Sequence, residues 1–194
     1  MGSLISPYSK PHLEAARNLW RSWLKPGDLV IDATVGNGHD AFFVSELGCE
    51  VIGLDIQQAA LEQTKKRFGE RKIQLFHQSH SQLHLLKLPR LPKLIIYNLG
   101  YLPGGDKQLT TLTESTLQSV EKGLERLDPE GALCITCYPG HDEGLREETA
   151  LLAWASLLSP EKWLVCHHRW LNRNRAPSLL WIAALQPSSK NSRK

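Results

Sequence analysis

The sequence predicts an α/β fold in which a mostly parallel sheet carries helices on both faces and an antiparallel hairpin at one end. Short apolar runs alternate along the chain with segments whose apolar residues recur at helical spacing, a pattern typical of parallel sheets. The last two apolar runs have no helix between them, which predicts the hairpin. A glycine-rich loop follows the first apolar run and opens a helical segment, as in nucleotide-binding α/β domains.

Seven apolar runs predict the strands. The first, LVIDAT, is short and continuous, as expected for a strand that is buried on both faces. VIGLD, KIQLFH, LIIYN and ALCITCY repeat that pattern, whereas KWLVCHHRW and SLLWIAAL are joined only by the turn LNRNRAP. The predicted strands are therefore 29–34, 51–55, 72–77, 94–98, 132–138, 162–170 and 178–185.

Apolar residues at helical spacing predict the helices. In the first helix, Leu13, Ala16, Leu19, Trp20 and Trp23 share one face. The segment QQAALEQTKKRF is amphipathic in the same way. We expect helices at 12–24, 40–47, 57–68, 107–127 and 143–158, and a short helical stretch near 80–87.

Length and composition indicate one ordinary domain. The chain has 194 residues, of which 41% are hydrophobic and 22% charged, so it can bury a core without disulfides or a metal. We expect a single domain over 1–185, with 1–25 as an N-terminal helical extension and 186–194 as a disordered polar tail. No apolar run approaches the length of a membrane span, and the first residues lack a secretory pattern. With four cysteines in such a chain, a cytoplasmic location is expected.

Positive charge is concentrated towards the C-terminus. Residues 161–194 contain seven Lys and Arg side chains against one acid, Glu161. The rest of the chain is slightly acidic, since the whole carries only +3. A solvated tail explains the last three of these cations. Arg173 and Arg175 lie between apolar runs instead, which indicates a face that meets a polyanion.

The glycine loop is the strongest local motif. Gly36 and Gly38 allow a tight turn and a close approach of a ligand to the backbone. Asp55 ends the next strand, where a carboxylate can accept both hydroxyls of a ribose. Taken singly, Asp32 could be a helix cap and Asp55 a surface turn acid. Together, at this spacing, they indicate a nucleotide-type cofactor.

Asp32 separates two classes of cofactor. The loop also fits the pattern of NAD enzymes, but a pyrophosphate beside this carboxylate would be repelled. S-adenosylmethionine carries no phosphate and presents an ammonium and a sulfonium, for which a carboxylate is favourable. The terminal hairpin also suits methyltransferases better than dehydrogenases. We therefore expect S-adenosylmethionine.

The strings DATVGNGHDA, GLDIQ, SHSQL, NLGYLPGGDK and YPGH together resemble a bacterial class I methyltransferase family that was formerly labelled rRNA methylase. Its members methylate the 5-aminomethyl group of 2-thiouridine-type wobble uridines in tRNA. The resemblance runs from about Val30 to Leu185, and its most specific part is NLGYLPGGDK. It implies a seven-stranded Rossmann-like sheet, S-adenosylmethionine as cofactor, the anticodon region of tRNA as partner and a methylaminomethyl uridine as product.

The resemblance also implies which residues bind the acceptor amine and the base. NLGYLP is similar to the Asn-Pro-Pro-Tyr loop of amino-methyltransferases, in which an amide grips the amine and an aromatic ring stacks on the base. Asn98 and Tyr101 match those two roles, although Leu99 and Gly100 replace the prolines. The alternative is that Asn98 only caps its strand and Tyr101 packs in the core. The residues expected to bind the cofactor are Asp32, Thr34, Gly36, Asn37, Gly38, Asp40, Asp55, Ile56, Gln57, Ser79, His80 and Asn98. Those expected to bind substrate are Tyr101, Leu102, Pro103, Gly104, Gly105, Lys107, Tyr138, Arg173 and Arg175.

The reaction needs a neutral amine, because an ammonium cannot attack a methyl group. His80, Tyr138 and His141 follow predicted strands at the edge where ligands bind in such sheets. They are the main candidates for accepting the proton, and Asp106 is a weaker one. We expect Asn98, Tyr101 and His141 to be the catalytic residues. His12, His77 and His84 are interpreted as surface or half-buried side chains.

We expect no metal. Cys134 and Cys137 are three apart in a strand and so point to opposite faces, and Cys166 also lies in a strand. Buried small side chains are the better interpretation of these cysteines.

Two other functions stay open: an rRNA or small-molecule methyltransferase, and an RNA-binding module without catalysis. The sequence also leaves open whether the protein is a homodimer.

Overall fold

The computed structural model describes residues 10–102, 104–106 and 108–185. In this part of the chain, seven strands form one sheet in the order β3-β2-β1-β4-β5-β7-β6. β5–β7 and β7–β6 are antiparallel and the other pairs are parallel, which confirms the predicted fold class. The strands are β1 Leu29–Asp32, β2 Glu50–Asp55, β3 Gln74–His77, β4 Leu94–Asn98, β5 Ala132–Cys137, β6 Trp163–His168 and β7 Ser178–Ala184.

Within the described residues, five α-helices flank the sheet. They are α1 Pro11–Trp23, α2 His39–Glu46, α3 Gln58–Phe68, α4 Thr113–Leu124 and α5 Asp142–Ala155. The stretch predicted near 80–87 is a short 3₁₀ helix, His80–Leu85. No helix in the described part of the chain is long and apolar enough to cross a membrane.

The core lies in two layers, one on each face of the sheet. On one face, Trp20 of α1 packs with side chains of α2 and α3 against the central strands. On the other face, α4, α5 and the 3₁₀ helix cover the strands, with Leu83 and Leu151 fully buried. β5 and β7 are almost entirely buried, as expected for interior strands.

The register of the strands brings polar residues together at one edge. Asp32 pairs with Gly53 of β2 and Ile96 of β4, and Asp55 pairs with His77 of β3. The carboxyl ends of β1, β2 and β4 therefore lie side by side, with Asp32, Asp55 and Asn98 at or next to their last positions. Ligands bind at this edge in open α/β sheets.

Two expectations from the sequence are wrong. The helix predicted at 107–127 begins only at Thr113, because residues 110 and 111 instead pair with the segment that follows β4. Tyr101 forms a bridge with Thr110, and Thr111 N donates to Gly100 O at 3.1 Å.

The second wrong expectation is the burial of Cys166. Cys166 is exposed because β6 is an edge strand, whereas Cys134 and Cys137 are buried as expected. The predicted tail 186–194 lies outside the described residues.

Candidate active site

A cavity of about 870 Å³ lies at the carboxyl ends of the strands. Its wall is formed by the glycine loop, the ends of β1, β2 and β4, and the loops that follow β4 and β5. It is large enough for a cofactor and an acceptor group together. The predicted site residues that line it are Asp32, Thr34, Gly36, Asn37, Asp40, Asp55, Ile56, Gln57, Ser79, His80, Asn98, Tyr101, Leu102, Tyr138, His141 and Arg175.

Other predicted site residues lie elsewhere. Gly104 and Gly105 line a smaller hollow of about 460 Å³, which Asn37, Gln57 and Leu102 also line. Arg173 is exposed and Gly38 is buried in the glycine loop, and neither lines the cavity. Pro103 and Lys107 lie outside the described residues.

The glycine loop is pinned to the neighbouring elements. Gly36 N donates to Asp55 Oδ2 at 2.9 Å, and Thr64 Oγ1 of α3 donates to Gly36 O at 2.8 Å. Gly38 has φ +74°, and a Cβ placed there would lie 2.7 Å from Thr64 Oγ1. Glycine is therefore required at position 38 both by the backbone angle and by the space available.

The two acids expected to meet the cofactor are in different environments. Burial raises the pKa of Asp55, and hydrogen bonds from the Gln57 and Gly36 amides oppose that effect. Each Asp55 oxygen accepts one backbone N–H, which leaves further lone pairs for hydroxyl groups. Asp32 is 1% exposed, and burial together with the nearby Asp40 raises its pKa well above the usual range. A cation bound beside Asp32 would favour its ionised form.

Asn98 is held by two hydrogen bonds. Its backbone N–H donates to Thr34 Oγ1 at 2.7 Å, and its side-chain Nδ2 donates to Asp40 Oδ2 at 3.0 Å. Its side-chain Oδ1 is buried and has no hydrogen-bond partner among the described residues. A buried acceptor without a partner is costly in a folded protein, so this oxygen is a candidate to bind a ligand donor.

His141 and Tyr101 lie next to each other, with ring centres 5.8 Å apart. His141 caps α5, because its Nδ1 accepts from Gly144 N at 3.1 Å. In the neutral ring the proton is then on Nε2, so His141 offers a donor rather than a base. Tyr101 is 39% exposed, which disagrees with the alternative that it packs in the core.

His80 and Tyr138 are poor proton acceptors. Burial lowers the pKa of His80 to about 4, and its ring lies edge-on to Tyr97 at 6.2 Å. Burial raises the pKa of Tyr138 to about 12, and its hydroxyl is 3.4 Å from His12 Nε2. His80 therefore stays neutral and Tyr138 stays protonated at neutral pH.

Sequence reasoning missed the contribution of α1. Lys10, Leu13 and Arg17 line the cavity, and Arg17 Nη2 lies 3.2 Å from Asp40 Oδ1. His12 is buried, contrary to the expectation of a surface or half-buried ring. The spacing of residues 10, 13 and 17 places them on one helical face, and this spacing is the sequence signal that could have identified them as a group.

The family is shown by comparison with known proteins. The family model described as "Putative rRNA methylase" matches residues 51–184. The chain belongs to this family. A chloroplastic tRNA (mnm(5)s(2)U34)-methyltransferase from Arabidopsis thaliana is 32% identical over 189 residues, covering 89% of this chain and 69% of that protein.

Solved structures of similar proteins agree with membership of the family. A "putative rRNA-methylase" from Clostridium thermocellum has a TM-score of 0.85 and 30% identity, covering 90% of this chain and 97% of that one. A "putative methyltransferase" from Streptococcus mutans in complex with SAH has a TM-score of 0.82 and 31% identity, covering 91% and 99%. This member of the family is therefore a class I methyltransferase that uses S-adenosylmethionine. Among the described residues, no group of three or more His, Cys, Asp or Glu could hold a metal ion.

Proposed function

We propose that the protein methylates the aminomethyl nitrogen of 5-aminomethyl-(2-thio)uridine at the wobble position of tRNA. The observation that carries the proposal is the buried Asn98 Oδ1, an acceptor at the end of β4 that has no partner within the described chain. An amine N–H provides the donor that this oxygen lacks. The plant relative, whose name states the same chemistry, supports this choice of acceptor.

In this proposal, different residues at the carboxyl ends of the strands bind different parts of the cofactor. In this proposal Asp55 accepts the ribose hydroxyls, because its oxygens keep free lone pairs beside Gly36 and Gln57. Asp32 lies near the cationic part of the cofactor. S-adenosylmethionine supplies a methyl group on a positively charged sulfur. The glycine loop lets the cofactor approach the backbone, and Ser79 and His80 flank its adenine.

The acceptor amine must lose a proton before it reacts. Its nitrogen lone pair then forms the new bond to the methyl carbon, while the carbon–sulfur bond breaks and its electron pair stays on sulfur. The secondary ammonium that results releases a proton to solvent. No strong base is required, because burial and a nearby cation both lower the pKa of an amine. This agrees with the lowered pKa of His80 and with the use of His141 Nδ1 as the acceptor for Gly144 N.

The RNA face lies beside the cavity. Arg175, in the turn between β6 and β7, lines the cavity mouth and has φ +53°, a strained angle for a residue with a side chain. Arg173 and Trp170 in the same region are exposed, Trp170 by 40%. We propose that the two arginines hold tRNA phosphates and that Trp170 stacks on an anticodon base. The proposal includes action in the cytoplasm, although the plant relative is chloroplastic.

Mass spectrometry of nucleosides tests the proposed reaction. The protein is incubated with labelled S-adenosylmethionine and, in separate reactions, with tRNA that carries 5-aminomethyl-2-thiouridine or with ribosomal RNA. We expect label in methylaminomethyl-2-thiouridine. Label in ribosomal RNA alone would favour the alternative substrate, and no label in any RNA would remove the proposal. Asn98→Ala should abolish turnover, whereas Asn18→Ala, at an exposed position on α1, is the matched control and should not.

A further inference from the structure

The direction of the Asn98 amide is set by one neighbour. The oxygen and nitrogen ends of an amide have almost the same size, so hydrogen-bond partners decide which end points where. Nδ2 donates to Asp40 Oδ2 at 3.0 Å. A reversed amide would place Oδ1 against a carboxylate oxygen, with no proton between two acceptors. Asp40 therefore leaves Oδ1 as the end that is available to a ligand.

Asp40 is itself fixed by Arg17. Arg17 Nη2 donates to Asp40 Oδ1 at 3.2 Å, so each carboxylate oxygen has its own partner. The Asp40 side chain is only 8% exposed. The Arg17 guanidinium carbon also lies 5.0 Å from the centre of the Phe43 ring, which holds the cation from a second side. The chain of contacts links α1, α2 and β4, which are regular elements rather than loops.

The charges around Asp40 explain why a cation is needed there. Asp32 is a second buried carboxyl nearby, and the charge of Asp40 contributes to the raised pKa of Asp32. His12, His39, Cys134 and Tyr138 also interact with the charge of Asp40, and Lys10 lies near both histidines. Burial lowers the pKa of both histidines and raises the pKa of Cys134 and of Tyr138. Arg17 is the cation in direct contact with Asp40. It offsets part of the cost of burying that carboxylate beside Asp32.

We propose that Asp40 is a positioning residue that aims Asn98 Oδ1 at an N–H of the acceptor amine, and that Arg17 holds Asp40 for this purpose. The inference rests on the proposed function and adds a source of specificity to it. An amine held through its N–H keeps its lone pair free for the methyl carbon. The site therefore selects an acceptor that has an N–H donor at this point over a ring nitrogen or a thioether, which offer only lone pairs.

The variant Asp40→Asn tests the orientation directly. Arg17 would still require an oxygen from the new amide, so its nitrogen end would face Asn98 and turn the Asn98 amide round. The acceptor amine would then meet N–H groups instead of Oδ1. We expect kcat to fall about 10- to 100-fold, the range seen when supporting residues of a site are removed. Affinity for S-adenosylmethionine should change less, and Asp28→Asn, half-buried just before β1 and outside the cavity, is the matched control.

Exchanging the residue types at positions 40 and 98 tests whether the lost activity can be rescued. Asp40→Asn combined with Asn98→Asp restores one amide and one carboxylate to the pair and again presents an oxygen to the acceptor. We expect part of the lost kcat to return. Because the acceptor amine now meets a charged carboxylate, its pKa rises and the pH–rate profile should move to higher pH. If position 40 had a purely structural role, the double variant would recover no more kcat than Asn98→Asp alone.

The outcomes separate the two proposals. No label in tRNA with the wild-type protein would remove the proposed function, and full turnover by Asn98→Ala would remove only the role of Asn98 in it. Full turnover by Asp40→Asn with an inactive Asn98→Ala would overturn only the positioning role. A loss in Asp40→Asn that is confined to cofactor affinity would overturn it too. Side-chain amide NMR of Asn98 gives a readout without turnover. Its NH₂ protons should exchange slowly in the wild type and faster in Asp40→Asn, and equal rates would contradict the inference.

Discussion

The substitution Gly38→Ala should destabilise the protein in two separate ways. Gly38 has φ +74° and ψ +19°, a left-handed conformation that costs about 1–2 kcal/mol for a residue with a Cβ. The new methyl group would also lie 2.7 Å from Thr64 Oγ1 and 2.8 Å from Thr64 Cγ2. Overpacking of this kind costs about 1–3 kcal/mol. We therefore expect the free energy of unfolding to fall by roughly 2–5 kcal/mol.

Urea denaturation of matched variants measures the two contributions. Gly27 has φ +89° in the turn before β1, and a Cβ placed there would meet nothing within 4 Å. Gly27→Ala should therefore show only the backbone cost of about 1–2 kcal/mol. The difference between the two variants isolates the contact with Thr64. If both variants lose the same free energy, the reasoning about Thr64 is refuted.

Three further predictions concern buried side chains. Affinity for S-adenosylmethionine should rise with pH across the acidic range more steeply than affinity for S-adenosylhomocysteine, because the sulfonium favours ionised Asp32, whose pKa is raised by burial. Calorimetry across pH checks this, and parallel curves for the two ligands would contradict it. Glu147→Ala should reduce the free energy of unfolding by about 1–3 kcal/mol, since the Thr111 and Thr116 hydroxyls lose their acceptor. Urea denaturation at neutral pH measures this loss, and an unchanged denaturation midpoint would contradict the prediction. Trp20→Ala should cost about 3–5 kcal/mol by the same assay, because Trp20 is 1% exposed in the core under α1. A loss below that range would mean that the core closes around the cavity.

The strands could be predicted because a strand that is buried on both faces consists mostly of consecutive apolar residues. Continuous apolar runs such as LIIYN are typical of strands in the interior of a parallel sheet. The start of α4 could not be predicted in the same way. Leu109 and Leu112 continue the apolar pattern of the helix, yet they are exposed and belong to a loop that the Tyr101–Thr110 bridge and Thr111 tie to the sheet. Periodicity does not reveal such long-range contacts.

The site was predictable where a strand end supplies the residue. Asp32, Asp55 and Asn98 could be placed together because parallel strands end at one edge. Arg17 was missed because its partner, Asp40, is 23 residues away and on another helix. The role of His141 as a helix cap was also hidden, since it depends on the angle at which α5 leaves β5. Pairings of this type follow from packing and not from local pattern.

The position of β7 has a consequence for how the chain reaches its native state. β7 follows β6 in sequence but lies between β5 and β6 in the sheet. During synthesis, β6 therefore emerges with no strand to pair with, and β5 keeps one open edge until Ser178–Ala184 has left the ribosome. Until then β5 is an unpaired edge instead of an interior strand, and unpaired edges are sites of aggregation. A chain that stops before β7 would therefore keep this open edge on β5 and leave β6 without a partner strand.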